Sequence, residues 1–311
     1  MTPTSQILLP LPRRFPAEWE PHRACLLLYP HNACTFRVER ARAAFTEVAR
    51  AIADEGKEDV VLFVHDQDQL PALNEQVSHS RIRFLHCPSN DTWARDTGPT
   101  FVSVKKGSDK TLVGLDWGFN AYGLLYEPYD LDQGIPKTMC AELSQHGYIE
   151  TANKTNGDDV PNTLTTVSIT EKVPLVLEGG SIHSDGEGTL LTTAECLAHT
   201  SRNPSKGLEE IVAMVQQYTG CTKTIVLPDG LDGDQDTNGH VDNLACFIKP
   251  GHVLLSWTDN DRDDGENYQI CRRAEKVLLD ARDAQGRELT VHKLYLPKPM
   301  VSLIVVSSVP C

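Results

Sequence analysis

The sequence lacks the features that mark membrane, secreted and disulfide-rich proteins. Its longest apolar runs, such as residues 26–28 and 301–306, fall far short of the roughly 20 residues that span a bilayer. The nine cysteines are an odd number without CxxC pairs, unlike a disulfide framework or a zinc ribbon. Arg13 and Arg14 follow the apolar residues 7–9, which is the wrong order for a secretory signal. We therefore expect a cytoplasmic protein with no membrane partner.

Positive charge is also scarce. The chain has 29 Lys and Arg but 43 Asp and Glu, which gives a formal net charge of −14. Such a chain repels phosphate backbones, so nucleic acid is not an expected partner. At long range it attracts cations, but a cationic substrate has to be argued from local residues. With 311 residues, 40% of them hydrophobic, the chain is long enough to bury a full core.

The same order of helix, strand, polar loop and hairpin recurs along the chain. The apolar patterns predict helices at 38–55, 71–77, 203–218 and 274–284, and strands at 60–64, 81–86, 100–104, 111–117, 224–227, 241–248, 253–257 and 290–296. No GxGxxG motif follows a strand, so the repeats favour a propeller-like α/β architecture over a Rossmann sheet. After the last strand the expected loop and hairpin do not arrive, and the last repeat is predicted to be incomplete. The polar residues 150–165 are predicted to form an inserted surface loop.

The first chemistry-bearing segment, Asn90–Pro99, follows a predicted strand and ends in Gly-Pro. Loops at sheet edges are where sites are commonly built. In the functional interpretation Asp96 pairs with a bound cation and Trp93 forms an apolar wall. In the alternative, Asp91 or Asp96 forms a surface ion-pair network with Arg95.

The second segment places Glu178 at the end of an apolar strand, directly before Gly179 and Gly180. The two glycines allow another backbone or a ligand to approach closely. A buried carboxylate there would have a partner and a shifted pKa, as acid/base chemistry requires. The alternative is a hairpin turn with a solvated Glu178.

The third segment, residues 232–243, first suggests calcium. Alignment with the EF-hand loop puts Ala245 where the bidentate Glu must be, so the spacing does not fit. His240 and Asp242 are two residues apart at a predicted strand start and should share one face. A histidine beside a carboxylate can transfer protons near neutral pH, whereas a lone strand histidine is commonly structural.

Together, Phe15–His22, Asp91–Pro99, Leu177–Gly180 and Gly239–Asn243 resemble the agmatine deiminase and bacterial-type (Porphyromonas-type) peptidylarginine deiminase family. The resemblance covers residues 15 to about 297. It implies the pentein fold, a five-bladed α/β propeller. The expected organisation is an N-terminal extension (1–14), one deiminase-like domain (15–297) and a divergent tail (298–311).

The resemblance also implies roles for individual residues. Asp96 and Asp242 would hold the guanidinium nitrogens of the substrate, His240 would be the general acid/base, Glu178 would assist, and Trp93 would line the pocket. A planar cation with several N–H donors is best held by paired acceptors. The implied chemistry is attack of a cysteine thiolate on the guanidinium carbon, loss of ammonia and hydrolysis of the thioether. No metal and no cofactor are expected.

The chain departs from the family at the nucleophile. The family carries it in a C-terminal Gly-Gly-Asn-x-His-Cys segment, and no such segment occurs in this sequence. Cys311 lacks the preceding glycines and histidine, and the adjacent terminal carboxylate disfavours its thiolate. Cys246 shares strand parity with His240, but an apolar strand should bury it. The sequence therefore identifies no nucleophile.

The leading hypothesis is an agmatine deiminase-like hydrolase, which forms N-carbamoylputrescine and ammonia, whose sequence ends before its nucleophile. The second is a catalytically inactive relative that binds guanidinium groups. A third, from a different class, is a structural module that calcium stabilises at the 232–242 loop. A small guanidine with a cationic tail suits the charge of the chain, but arginine and peptidyl-arginine remain alternatives. The oligomeric state is left open.

Overall fold

The computed structural model describes residues 12–106, 109–148 and 167–297. Within these ranges the strands, in chain order, are β1 (Arg13–Arg14), β2 (Ala24–Leu28), β3 (Asp59–Val64), β4 (Ile82–His86), β5 (Thr100–Lys106), β6 (Asp109–Gly118), β7 (Val167–Val176), β8 (Ile182–Ser184), β9 (Thr189–Thr193), β10 (Lys223–Leu227), β11 (Ala245–Lys249), β12 (His252–Trp257) and β13 (Thr290–Tyr295).

The same ranges contain long helices that connect parallel strands and single turns in the loops. They are α1 (Val38–Ala51), α2 (Leu70–Val77), α3 (Ala94–Thr97), α4 (Ala121–Leu124), α5 (Ile135–Gln145), α6 (Ala194–Leu197), α7 (Leu208–Thr219), α8 (Val241–Leu244) and α9 (Gly265–Asp280). A π-helical turn, Ile52–Gly56, extends α1. No helix in the described ranges has the length and apolar character needed to cross a bilayer.

The described strands form four small sheets, and three of them share one connection pattern. In each, an antiparallel hairpin leads through a helix to a parallel third strand: β5–β6, α5 and β7; β8–β9, α7 and β10; β11–β12, α9 and β13. The fourth sheet, β2–β3–β4, is wholly parallel. The predicted repeat of helix, strand, loop and hairpin is confirmed.

The parallel strand β3 shows why its apolar residues run without interruption. One set of its side chains, including Leu62, packs against α1 and α2, and the alternate set, including Phe63, packs against α5. A strand covered on both faces has no solvent side on which polar residues would be favoured. The two layers hold the carboxyl ends of β2–β4 in place, and the first motif loop leaves from there.

Several predicted bounds were wrong. The helix predicted to start at Asn203 begins at Leu208, and the helix predicted at 274–284 occupies Gly265–Asp280. The strand predicted at 241–248 starts at Ala245, because residues 241–244 form the turn α8. The predicted loop 150–165 and the tail 298–311 lie outside the described residues, as does most of the extension 1–14.

Candidate active site

Three loops converge to form the candidate site, and each occupies the same position in its repeat. One loop joins β4 to β5, the second joins β7 to β8, and the third joins β10 to β11. They carry Asp96, Glu178, and the pair His240 and Asp242, respectively. Since each loop leads from the parallel strand of one sheet to the hairpin of the next, the repeat brings the three motif segments together.

Asp96 lies in the single turn α3, which the carbonyl of Trp93 stabilises by accepting hydrogen bonds from the backbone N–H groups of Asp96 and Thr97. The Asp96 carboxylate is buried and has two donors. The Gly180 N–H donates to Oδ1 at 3.0 Å, and the Tyr122 hydroxyl donates to Oδ2 at 3.0 Å. The interpretation of Asp96 as a member of a surface network is therefore wrong. Arg95 instead pairs with Glu18.

The glycines after Glu178 are required by close contacts. A Cβ on Gly179 would lie 2.0 Å from the carbonyl oxygen of Arg95, which no side chain could tolerate. A Cβ on Gly180 would lie 2.6 Å from His240 Nδ1 and 2.6 Å from Asp242 Oδ2. The close approach of another backbone, predicted for these glycines, is thus present at Gly179, and the space beside Gly180 is bounded by the imidazole and the carboxylates.

His240 is buried at the centre of the carboxylates. Its Nδ1 lies 3.7 Å from Asp96 Oδ1 and 3.9 Å from Asp242 Oδ1, and its Nε2 lies 3.6 Å from Glu178 Oε2. Nε2 has no hydrogen-bond partner among the described residues. Burial disfavours the charged ring, but Cys196, Glu178 and the charge of Asp96 raise the pKa of His240 to about 10. The surrounding groups therefore favour the charged imidazolium form of the ring.

Glu178 is fully buried and forms an ion pair that the sequence did not reveal. Arg202 Nε donates to both of its carboxylate oxygens, at 3.0 and 2.8 Å. Burial alone would raise the pKa of Glu178, but His240 and Arg202 outweigh it and lower the pKa. Glu178 therefore acts on the Nε2 side of His240 as a fixed anion, and its interpretation as a solvated hairpin residue is wrong.

Asp96 and Asp242 respond to burial in the opposite direction. Burial raises the pKa of both carboxyl groups, and the charge of His240 only partly offsets this. The Asp242 side chain keeps 34% of its surface exposed, so one wall of the site is open to solvent. Two carboxylates whose charge is costly beside an open space favour the entry of a cation that can donate hydrogen bonds.

The loop that precedes His240 is organised by Asp234. Its carboxylate accepts hydrogen bonds from the N–H and hydroxyl of Thr237, the N–H of His240 and the side-chain amide of Asn243. The carboxylate that first suggested calcium thus has a role in holding His240. His240 and Asp242 share the site because of this turn, and the predicted strand parity between them was wrong.

Aromatic side chains surround the carboxylates. Tyr122 is buried, and its ring centre is 5.9 Å from that of His240. Trp93 is 45% exposed, packs against Phe36 with 5.7 Å between ring centres, and donates from Nε1 to Asp91 at 3.2 Å. Tyr122 was missed because it follows the hairpin β5–β6, at a distance in sequence from the motifs.

The structure also places a cysteine beside His240. Cys196, Glu178 and His240 form a cluster, hereafter the core triad. Each offers one possible metal-ligand atom, and the three atoms lie within 4.8 Å of one another. Cys196 is fully buried, and burial raises the pKa of its thiol, although His240 opposes this. Cys246 is half-buried in β11, and burial raises its pKa too. Cys311 lies outside the described residues.

Comparison with known proteins places this site in a family. Residues 14–308 match the family model described as Porphyromonas-type peptidyl-arginine deiminase. The agmatine deiminase of Pseudomonas aeruginosa (strain LESB58) is 40% identical over 293 residues, which cover 92% of this chain and 71% of that protein. The agmatine deiminase of Ectopseudomonas mendocina (strain ymp) is 38% identical over 296 residues, with the same coverage.

Among solved structures, the agmatine deiminase of Enterococcus faecalis superposes with a TM-score of 0.78 at 32% identity. The match covers 96% of this chain and 76% of that one. Both the sequence and the backbone therefore agree on the relationship that the four motifs predicted. The chain belongs to the Porphyromonas-type peptidyl-arginine deiminase family.

Proposed function

We propose that the chain is an agmatine deiminase-type hydrolase, which converts agmatine and water to N-carbamoylputrescine and ammonia. The observation that carries the proposal is the position of the Asp96 and Asp242 carboxylates, 3.7 and 3.9 Å from His240 Nδ1, around the space that a Cβ on Gly180 would fill. A guanidinium group offers N–H donors in one plane, and two carboxylates facing it would fix its orientation.

The charges of the site support a separate role for each of its residues. Asp96 and Asp242 hold the guanidinium, and Trp93 forms the apolar wall for the rest of the substrate. A second cation beside the His240 imidazolium drives a proton from the ring, so substrate binding itself prepares the base. The neutral His240 then accepts the proton of the attacking cysteine thiol and passes it to the leaving ammonia. It afterwards activates the water that hydrolyses the resulting thioether. Glu178 keeps the imidazole oriented and stabilises its charged form.

Agmatine is the preferred substrate for two reasons. The relatives reported above are agmatine deiminases. The site also concentrates the carboxylates of Asp96, Glu178 and Asp242, balanced by Arg202, which is itself occupied by Glu178. Such a site disfavours the α-carboxylate of free arginine, whereas agmatine carries only an amine at that end. The substrate is thus a small dication in an acidic protein.

The test has a binding arm and a turnover arm. Calorimetry should show that agmatine binds the 311-residue chain at least about 100-fold more tightly than putrescine, which lacks the guanidinium. Asp96→Asn should abolish the difference, and the exposed carboxylate variant Asp236→Asn should retain it. Equal affinity for the two amines, or an unaffected Asp96→Asn, would refute the guanidinium site.

In the turnover arm, ammonia release from agmatine is measured for the chain and for Cys196→Ser, Cys246→Ser and Cys311→Ser. Loss of turnover in one variant, with agmatine binding intact, would assign the nucleophile. Binding by the folded chain without any turnover would support the alternative of a guanidinium-binding relative that does not catalyse the reaction. That outcome would refute the hydrolase proposal.

We also infer that the repeated units belong to the five-bladed pentein propeller. The shared hairpin, helix and parallel strand of three sheets support this inference, as does the likeness to the Enterococcus faecalis enzyme. The domain bounds of 15–297 and the cytoplasmic location remain predictions. An experimental structure in which the four sheets do not surround a common axis would contradict the propeller.

A further inference from the structure

A second cluster of a histidine, a cysteine and a glutamate lies outside the candidate active site. It consists of His22, Cys25 and Glu58, hereafter the edge triad, whose ligand atoms lie within 4.8 Å of one another. His22 precedes β2, Cys25 is the second residue of β2, and Glu58 immediately precedes β3. We propose that the edge triad is a binding site for a zinc-type divalent cation.

The site lies at the opposite edge of the β2–β3–β4 sheet from the candidate active site. β2 and β3 are parallel, with Ala24 aligned to Asp59, so their amino ends share one edge. The loop that carries Asp96 leaves from the carboxyl ends. Six residues of β3 separate the two edges, which is roughly 17 Å at about 3.3 Å per residue. A cation bound here would be independent of the proposed deiminase chemistry.

The distances match what zinc requires. Cys25 Sγ lies 3.2 Å from Glu58 Oε2, and His22 Nε2 lies 3.5 Å from the same oxygen. Zinc bonds of about 2.3 Å to sulfur and about 2.0 Å to nitrogen and oxygen, at tetrahedral angles, put sulfur and oxygen about 3.5 Å apart and nitrogen and oxygen about 3.3 Å apart. These two pairs are therefore within a few tenths of an ångström of the spacing that zinc needs, and the third pair, Cys25 Sγ and His22 Nε2, lies within 4.8 Å.

His22 is held in the tautomer that a metal ligand needs. Its Nδ1 lies 2.7 Å from the carbonyl oxygen of Glu20. Because a carbonyl can only accept, Nδ1 carries the hydrogen, and in the neutral ring Nε2 has its lone pair free and directed toward Glu58. Metal-binding histidines commonly have their second nitrogen fixed in this way. The His22 side chain is 46% exposed, which gives a cation access from solvent.

The charges also balance on binding. Without a cation the Cys25 thiol donates a hydrogen bond to the Glu58 carboxylate. A divalent cation replaces that proton, which leaves to solvent, and the metal–sulfur bond forms on the resulting thiolate. One thiolate and one carboxylate then neutralise the two positive charges, with a neutral imidazole as the third ligand and water completing the tetrahedron.

The test uses cobalt(II) as a spectroscopic probe for zinc, with the full chain in its reduced form. The wild-type chain should bind one cobalt ion with a thiolate-to-metal charge-transfer band in the near ultraviolet, and zinc should displace it. Cys25→Ser should remove the band, and His22→Ala should weaken binding at least about 100-fold, as expected for loss of one of three ligands. Cys246→Ser, which removes a half-buried thiol elsewhere, should leave the band unchanged.

Melting temperature gives a second readout without a spectroscopic probe. Zinc should raise the melting temperature of the wild-type chain and of Cys246→Ser, and it should leave that of Cys25→Ser unchanged. A wild-type chain with no charge-transfer band would overturn the proposal. So would a band that persists in Cys25→Ser and disappears in Cys196→Ser, because the cation would then occupy the core triad.

Discussion

The core triad and the edge triad contain the same three residue types, and their neighbours give them different chemistry. In the core triad Arg202 donates to both oxygens of Glu178 at full burial, so the carboxylate already has its counter-charge. In the edge triad Glu58 lies 3.5 Å from His22 Nε2 and accepts a hydrogen bond from Cys25. The first arrangement suits a fixed anion beside a base, and the second suits a metal ligand.

The difference teaches that a cluster of ligand-type residues is not by itself a metal site. A zinc ion in the core triad would compete with the buried Arg202 for the Glu178 carboxylate, and loss of that counter-charge carries a high desolvation cost. At the edge triad a cation displaces only a thiol proton. Substitution of Glu178 and of Glu58 should therefore have different effects.

The largest expected effect is on stability at the core triad. Glu178→Gln leaves the Arg202 guanidinium buried without a counter-charge, and the free energy of unfolding should fall by about 3–5 kcal/mol. Glu58→Gln changes a partly exposed group and should cost less than about 1 kcal/mol. Urea denaturation of both variants measures the contrast. Equal losses would show that the buried Glu178–Arg202 pair contributes no more to stability than the partly exposed Glu58.

The second effect is steric and concerns access to the base. Gly180→Ala places a methyl group 2.6 Å from His240 Nδ1, in the space proposed for the guanidinium, so agmatine binding should fall at least about 100-fold. Gly134→Ala is the matched control, since nothing lies within 4 Å of its added carbon and its φ of −89° suits alanine. Calorimetry with agmatine measures both. Unchanged binding in Gly180→Ala would place the guanidinium elsewhere.

The sequence revealed the motif loops because each loop occupies the same position in the repeated unit. Asp96, Glu178 and His240 each follow a recognisable apolar strand, and the family resemblance implied that they share one site. Arg202 and Cys196 lie in the segment between β9 and α7, where no apolar period marks a role. Only the folded chain brings them to Glu178 and His240.

Some element bounds failed because polar side chains replace backbone or apolar contacts. The Asn203 side chain donates to the carbonyl of Val176 and accepts from its N–H, so it extends the edge of β7 and does not start a helix. Asn267 occupies a buried position of α9 and accepts a hydrogen bond from the N–H of Asp232. A helix whose buried face includes an asparagine has no apolar signal at that turn.

The charge of His240 should make agmatine binding depend on pH. The pKa of about 10 means that the free site binds a proton at neutral pH, and a guanidinium between Asp96 and Asp242 should lower this pKa. One proton is then released on binding, so agmatine affinity should rise with pH, by up to about tenfold per unit below pH 10. Calorimetry in buffers of different ionisation enthalpy counts the proton.

His240→Asn is the control for this measurement, because it removes the titrating ring and should flatten the pH profile. An affinity that is independent of pH in the wild-type chain, or the same slope in His240→Asn, would show that another group releases the proton. Asp96 and Asp242, whose pKa values are raised by burial, are the groups to examine in that case.

The smallest expected effect is the difference in agmatine affinity between Tyr122→Phe and Tyr126→Phe. Tyr122 donates to the buried Asp96, whereas the exposed Tyr126 donates to Asp236 at 2.7 Å. Tyr122→Phe removes one of the two donors that orient the Asp96 carboxylate, and a hydrogen bond to a charged group of this kind is worth about 1.5 kcal/mol, or roughly tenfold in agmatine affinity. Tyr126→Phe should leave the affinity unchanged. If both variants bind agmatine equally well, the Asp96 carboxylate is held by the Gly180 N–H and its helical turn, and the tyrosine contributes only its ring.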